Sequence, residues 1–504
     1  MNGSNFGDGD ASDPSPTVSQ NHNHGNACAG IIAATQNNNE GITGIAPSCK
    51  IMPIRISNSD DSFVSNSNLA DAIDFAWQNG AEVMSNSWAY DSDDSELIIG
   101  IKEAIQRAIN NNCVVVFVVG NTANHRNQDD GYVSFPSNVE VDGVLTVGAS
   151  DRDDMQSNYS PTSDPGSNKN QIIDIVAPSH RAYPSRIPGE RGEVFSMDIP
   201  GSTGYNTYPS SGMPLYPPQP GEEYPSSGTN HIAYTGRFGG TSAACPQVAA
   251  VAALVLSVDP SFTPLEVFDI ITQTADDVGP YTYSNGKSDE MGNGRLNACK
   301  ALMKAIDRAT YITGNTTLCA SSKVYSLGKY PTESELDIIW SATPTHLFTN
   351  NSGTGSSFST AWDGSGSGMG TITATLSGDC GSVDVEKDVW VGSPDFTLSG
   401  ESQISTYGSS TVLVNWISSG ADHEEQGSPT MDWSYTGPLF DVKGDYRKAD
   451  LMAGGHTGYG WVYGEATNQC GSHTEDFAYE VIEDSPYSLS VSPIPADDQM
   501  SVSI

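Results

Sequence analysis

The sequence predicts an α/β domain, a parallel sheet flanked by helices, followed by two small β-sandwich domains. Three observations carry this. Residues 31 to about 310 alternate short apolar runs with helical spacing. The run CVVVFVVGN (113–121) is β-branched and apolar on both faces, as a strand covered on both sides must be. From about residue 311 the helical patterns stop, and short alternating strands with Gly/Ser turns take over.

The elements follow in order. CKIMPIRI (49–56) reads as a buried strand, and NLADAIDFAWQNG (68–80) as a helix ending at Asn79-Gly80. AEVMSNSW (81–88) is a strand, and ELIIGIKEAIQRAINNN (96–112) an amphipathic helix. GVLTVGAS (143–150) and IIDIVAP (172–178) are further strands. Residues 179–238, rich in Pro, Gly, Tyr and Ser, read as an excursion of surface loops. SAACPQVAAVAALVLSV (242–258) is apolar nearly all round, the pattern of a helix at the centre of a domain. Beyond it, Trp340 precedes GDCG (378–381) as Trp433 precedes NQCG (468–471), a repeat of about 90 residues. The domain boundaries predicted are 1–310, 311–396, 397–483 and 484–504.

The balance of 61 acidic against 22 basic residues, net −39, argues against nucleic acid or an anionic membrane as partner. No stretch reaches about 18 consecutive apolar residues, so no membrane insertion is expected. The 8 cysteines include no C-x-x-C pair, which disfavours a zinc ribbon or thioredoxin-type site and leaves disulfide pairing open. Residues 1–20 lack the basic start and apolar stretch of a signal peptide.

The chemistry starts at GGTSAACP (239–246). Ser242 opens a buried helix, where the dipole and unpaired backbone N–H groups can receive an oxyanion. Alone, such a serine is an N-cap. A base is available in NHNHGNACAG (21–30), where His24-Gly25 opens a second helix of small residues. Gly120-Asn121 ends the CVVVFVV strand, and an amide there can donate to developing negative charge without titrating. H-G-x-x-x-A-G, then G-N after an apolar strand, then G-T-S-x-A-x-P resembles the subtilisin-like serine proteases, over residues 15–310.

That resemblance implies a serine endopeptidase acting through an acyl-enzyme on polypeptide substrates. His24 would be the base, Ser242 the nucleophile and Asn121 the oxyanion-hole side chain. His22 falls outside the pattern. Ser87-Trp88-Ala89 and Gly120 would bind the substrate backbone, with Ala89 in place of the usual glycine. Cys28 stands where kexin-type and proteinase-K-type relatives carry a cysteine, close to Cys245. No cofactor is required. QNNNEGITGIAP (36–47) resembles a loop that binds structural calcium, with an Asn-rich turn as the other reading.

One member of the triad is missing from the pattern. No apolar run ending in Asp-x-Gly precedes His24, and Asp8, Asp10 and Asp13 lie in a Gly/Pro-rich loop. Asp13-Pro14-Ser15-Pro16 resembles a loop downstream of the catalytic aspartate, so the expectation is a chain that begins after that strand and turns over poorly. Loss of the aspartate alone costs subtilisin about 10⁴-fold. VSPIPADDQMSVSI resembles the start of a type IX secretion sorting domain of Bacteroidetes, with Ile494 replacing an Asn. It implies a secreted or cell-surface protein engaged by secretion machinery through its tail. The two Cys-Gly repeats resemble Ig-like or PKD-like modules. An inactive pseudo-protease or adhesive binding protein is the competing reading.

Overall fold

The computed structural model describes residues 3–15, 23–60, 62–90, 99–166, 170–181, 194–199, 204–205, 233–330, 336–417, 424–483, 490–493 and 500–503. It divides into two compact units, Met1–Ala309 and Thr310–Ile504.

The first unit is built on a parallel sheet. Its strands are β3 (Val83–Asn86), β4 (Val114–Val118), β5 (Val144–Ser150) and β6 (Ile175–Pro178), paired in that order. Before them, β1 (Ser4–Asn5) pairs in parallel with β2 (Ile54–Arg55). Every residue of β4 and β5 is buried, because helices cover both faces of the sheet. On one side lie α2 (Asn66–Gln78) and α3 (Ile99–Asn110), whose Leu69, Ile73, Ile101 and Ile105 pack on Val115 and Phe117. On the other lie α4 (Thr241–Val258) and α5 (Pro264–Gln273), with α6 (Ala298–Ala309) behind them. Their apolar residues meet Val114, Val116, Leu145 and Val147.

Helix α4 has the length and hydropathy of a membrane span, yet most of it is buried inside this unit. Burial on all sides explains its lack of an amphipathic stripe. The α1 helix (His24–Ala33) uses Ala27, Cys28 and Gly30 to approach its neighbours closely.

Two expectations change. CKIMPIRI pairs only at Ile54–Arg55, since β1 offers it a two-residue partner. Within the loop-like stretch 179–238, β7 (Val194–Met197) and β8 (Tyr234–Phe238) form an antiparallel pair. Ser196 Oγ donates to Ala27 O at 2.5 Å, docking β7 on α1. Their few apolar residues were hidden by surrounding Pro, Gly and Ser. Pro16, His22 and Ile494 lie outside the described residues.

The second unit holds two β-sandwiches whose topology repeats. In each, a long hairpin carries a third antiparallel strand bearing the Trp and a short parallel strand on its outer edge. The first hairpin joins Gly368–Gly378 to Gly381–Val391, with Asp337–Thr343 alongside. The second joins Gly458–Asn468 to Gly471–Ile482, with Thr430–Thr436 alongside. GDCG and NQCG are the tight turns of these hairpins, which gives the sequence repeat a structural meaning. Trp340 stacks on Phe358 of the facing sheet at 5.8 Å. Val412, Leu451, Val462 and Tyr479 fill the second sandwich. A disulfide joins Cys319 to Cys470. The tail strands Ser490–Pro493 and Met500–Ser503 pair antiparallel.

Leu145 is fully buried between β5 and the α4 side of the sheet. Leu145→Ala is expected to cost about 2–5 kcal/mol, read as a lowered denaturation midpoint of the first unit. A loss under about 1 kcal/mol would place that core elsewhere.

Candidate active site

The turn before α4 is assembled by Asn121, just past the end of β4. Thr241 donates its backbone N–H (3.0 Å) and its hydroxyl (3.1 Å) to Asn121 Oδ1. The Thr241 hydroxyl also reaches Gly120 O at 3.1 Å. A backbone N–H can only donate, so the Asn121 atom facing it is the carbonyl oxygen and Nδ2 is the free end. Gly240 turns with φ +73°, and an added Cβ would press on the Asn121 amide at 3.2 Å. Beneath, Gly240 N donates to His180 Nδ1 at 3.2 Å and Ser179 Oγ donates to Gly240 O at 2.9 Å. Tyr159 OH donates to His180 O at 2.9 Å.

Ser242 is therefore presented at the second residue of α4 by a fixed turn. Its backbone N–H and Asn121 Nδ2 have no partner among the described residues. Two unspent donors stand at a helix N-terminus, at the carboxyl end of a parallel strand.

His24 opens α1 beside this turn. Its ring meets Phe238 edge-on at 5.4 Å, four residues before Ser242. One turn along α1, Cys28 Sγ lies 3.7 Å from Ser242 O and 3.9 Å from His24 Nδ1. Burial pushes the Cys28 thiol up to about 12 and the Cys245 thiol up to about 11, so both stay protonated. Both are free thiols. A neutral thiol cannot stabilise an imidazolium as a carboxylate does.

No carboxylate is bonded to His24 among the described residues. Asp8 is held by Ser59 and by Arg55 at 3.0 Å. Asp10 and Asp13 accept from Ser12 and Ser15 in their own turns. Burial alone acts on His24 and lowers it from 6.5 to about 4.

A family model of the subtilase family, Peptidase_S8, matches residues 2–294. The chain belongs to the subtilase family. Its relatives include the calcium-dependent protease of Nostoc sp. (strain PCC 7120), 34% identical over 58% of this chain and 41% of the relative. Thermitase of Thermoactinomyces vulgaris is 28% identical over 58% of this chain and 78% of its own. A solved structure described as proteases from Pseudoalteromonas arctica PAMC 21717 gives a TM-score of 0.41 at 25% identity, covering 60% of this chain and 84% of that one. The chain thus spans about two fifths of the length of the Nostoc relative.

In this subtilase the remaining sequence candidates take distinct places. Ser87 Oγ donates to Ser242 O at 3.1 Å, so its side chain braces α4. Trp88 turns into the α2–α3 core, edge-on to Phe117 at 5.4 Å, with its indole N–H on Asn86 Oδ1 at 3.1 Å. Ala89 packs against the α4 side of the core. All three lie past the end of β3. Gly120, at φ +96°, gives its carbonyl to Thr241. His180 and Tyr159 had no signal in the sequence, since neither spacing nor motif marks a residue that props a turn from below.

In the calcium-like loop, Asn37, Asn39 and Gly41 all have positive φ, and Asn38 Oδ1 accepts from Glu40 N at 3.0 Å. Its donors are oxygens, which suits calcium. Among the described residues no three acidic, His or Cys side chains converge on a metal site.

The lowered His24 value gives a pH prediction. The imidazole is neutral, and able to act as a base, down to about pH 4. The acid limb of Ser242 reactivity is expected near there, measured by fluorophosphonate labelling against pH. A limb near pH 7 would reveal a carboxylate supplied to Nδ1. The unfolded chain binds the proton at the ordinary 6.5, so this group's contribution to stability falls as pH drops from 6.5 towards about 4.

Proposed function

We propose that this chain carries the machinery of a serine endopeptidase that cleaves polypeptides through an acyl-enzyme. Ser242 attacks the carbonyl carbon, and His24 takes the hydroxyl proton and returns it to the leaving amine. The tetrahedral oxyanion is received by Ser242 N–H and Asn121 Nδ2. The observation that supports this most is the locked Asn121 amide. Its oxygen is spent on Thr241, which leaves only its donor end for a ligand.

The bare His24 supports the second reading, a chain that reacts but turns over slowly. Without a carboxylate, the imidazolium formed in each step is unsupported and its tautomer unfixed. A secreted or cell-surface location, export through the tail, and Ig-like or PKD-like identity for the two sandwiches belong to the same proposal and rest on sequence resemblance. A structural calcium ion at residues 36–47 rests on the loop's oxygen donors and on the name of the Nostoc relative.

Three experiments test this. Fluorophosphonate should label Ser242 in the chain, as read by mass spectrometry. His24→Ala should slow labelling by about 10²-fold or more. Asn121→Ala should slow peptide hydrolysis by about 10²–10³-fold. Label on other serines, or none on folded protein, would leave the pseudo-protease reading standing. For calcium, adding the ion after chelation should raise the unfolding midpoint, with a gain that Glu40→Gln reduces. No shift at saturating calcium would remove the ion from the proposal.

A further inference from the structure

One face of the second sandwich remains uncovered. On the central strand Gly458–Asn468 the outward positions are Tyr459, Trp461 and Tyr463, while Val462 between them is buried. Tyr459 is 77% exposed and Trp461 44%. Alternate residues on one strand stand about 6.8 Å apart, so the three rings form a straight row. Three of their cross-strand neighbours are small: Ala478 beside Trp461 on one side, Thr436 on the other, with Ser434 beside Tyr463. The rings therefore stand above their surroundings.

The charge on this face has one sign. Asp476 lies opposite Tyr463, and Glu480 opposite Tyr459. Glu480 raises the pKa of the neighbouring Tyr459 hydroxyl and accepts from Gln403 Nε2 at 3.1 Å. Farther along, Asp432 sits directly opposite Glu465. Like charges in directly opposed positions destabilise a sheet, and a cation placed between them relieves that cost. No Lys, Arg or His occupies an outward position on these three strands.

We propose that this face binds an extended polypeptide rich in Arg and Lys, laid along the strand Gly458–Asn468. Cationic side chains sit over the faces of Tyr459, Trp461 and Tyr463 and pair with the surrounding carboxylates. An extended peptide has the same two-residue repeat as the strand beneath it, so its alternate side chains fall in step with the rings. The complementarity is of charge as well as spacing. This surface is separate from the peptidase reading and needs no turnover.

The test uses the full chain carrying Ser242→Ala, so that the probe stays intact. A fluorescent peptide of alternating Arg and Ser is titrated at about 0.15 M salt and followed by anisotropy. Saturable binding is expected, weakened about tenfold or more by Tyr459→Ala with Trp461→Ala. Asp432→Asn with Glu465→Gln should also weaken it, while Trp461→Phe and, on the other sheet, Phe440→Ala should leave it within about twofold. Thermal midpoints confirm that each variant is folded. The proposal fails if the peptide does not saturate. It fails equally if loss of the rings leaves affinity unchanged, since binding would then reflect overall acidity. Binding of a neutral oligosaccharide in place of the peptide, lost with the same rings, would also overturn it.

Discussion

The hold of Asn121 on Thr241 is the interaction on which the candidate site depends. A single side-chain oxygen takes both the N–H and the hydroxyl of the first residue of α4. Each such bond contributes only about 1 kcal/mol net. Their value is positional, because they tie the end of β4 to the start of the most buried helix in the unit. Ser242 follows at once, so its place is set by the sheet core rather than by a loop. The same contact orients the Asn121 amide. A side chain that fixes the turn thus has only a donor left to offer.

His24 shows the opposite situation. It is placed by packing, and among the described residues no carboxylate is bonded to it. Phe238 meets its ring edge-on, and the Cys28 thiol, kept neutral by burial, lies 3.9 Å from Nδ1. Desolvation without a neighbouring anion makes an imidazole a weak base that stays neutral far into acid. The constellation therefore holds Ser242 and two free donors in defined positions, beside an imidazole whose charged form is disfavoured by desolvation.

How much of this was legible in the sequence varied with the kind of signal. Runs such as CVVVFVV and SAACPQVAAVAALVL declare their burial through composition, and the structure places them as β4 and α4. His24, Asn121 and Ser242 stand out in the sequence because each sits at an element boundary marked by glycine. Ser87 and Trp88 were legible as a motif but not in orientation, since a strand pattern gives no sign of which neighbour claims a side chain. Helix α5 was not anticipated, although Thr263-Pro264-Leu265-Glu266 forms a capping box at its start. His180 was invisible, because its contact with Gly240 joins residues 60 apart in the chain. The β7–β8 pair was masked because four- and five-residue strands within Pro- and Ser-rich sequence have no period long enough to read.

The second sandwich shows how a turn decides a surface. Asn468 and Gly471 are paired across a two-residue loop, and that pairing sets the register of the whole hairpin. With this register Val462 and Ala466 face the core, while Tyr459, Trp461 and Tyr463 face out. A slip of one residue would exchange the two sets, burying two tyrosine hydroxyls and a tryptophan and exposing the small apolar residues. Asn468 is itself anchored, donating to Gly392 O at 3.1 Å and Gln426 O at 2.9 Å. Cys470, within the same turn, is bonded to Cys319. The turn is therefore pinned by side-chain hydrogen bonds and a covalent link at the point where slippage would begin. An exposed aromatic row on a pinned strand is a consequence of register, and it persists only while that turn holds.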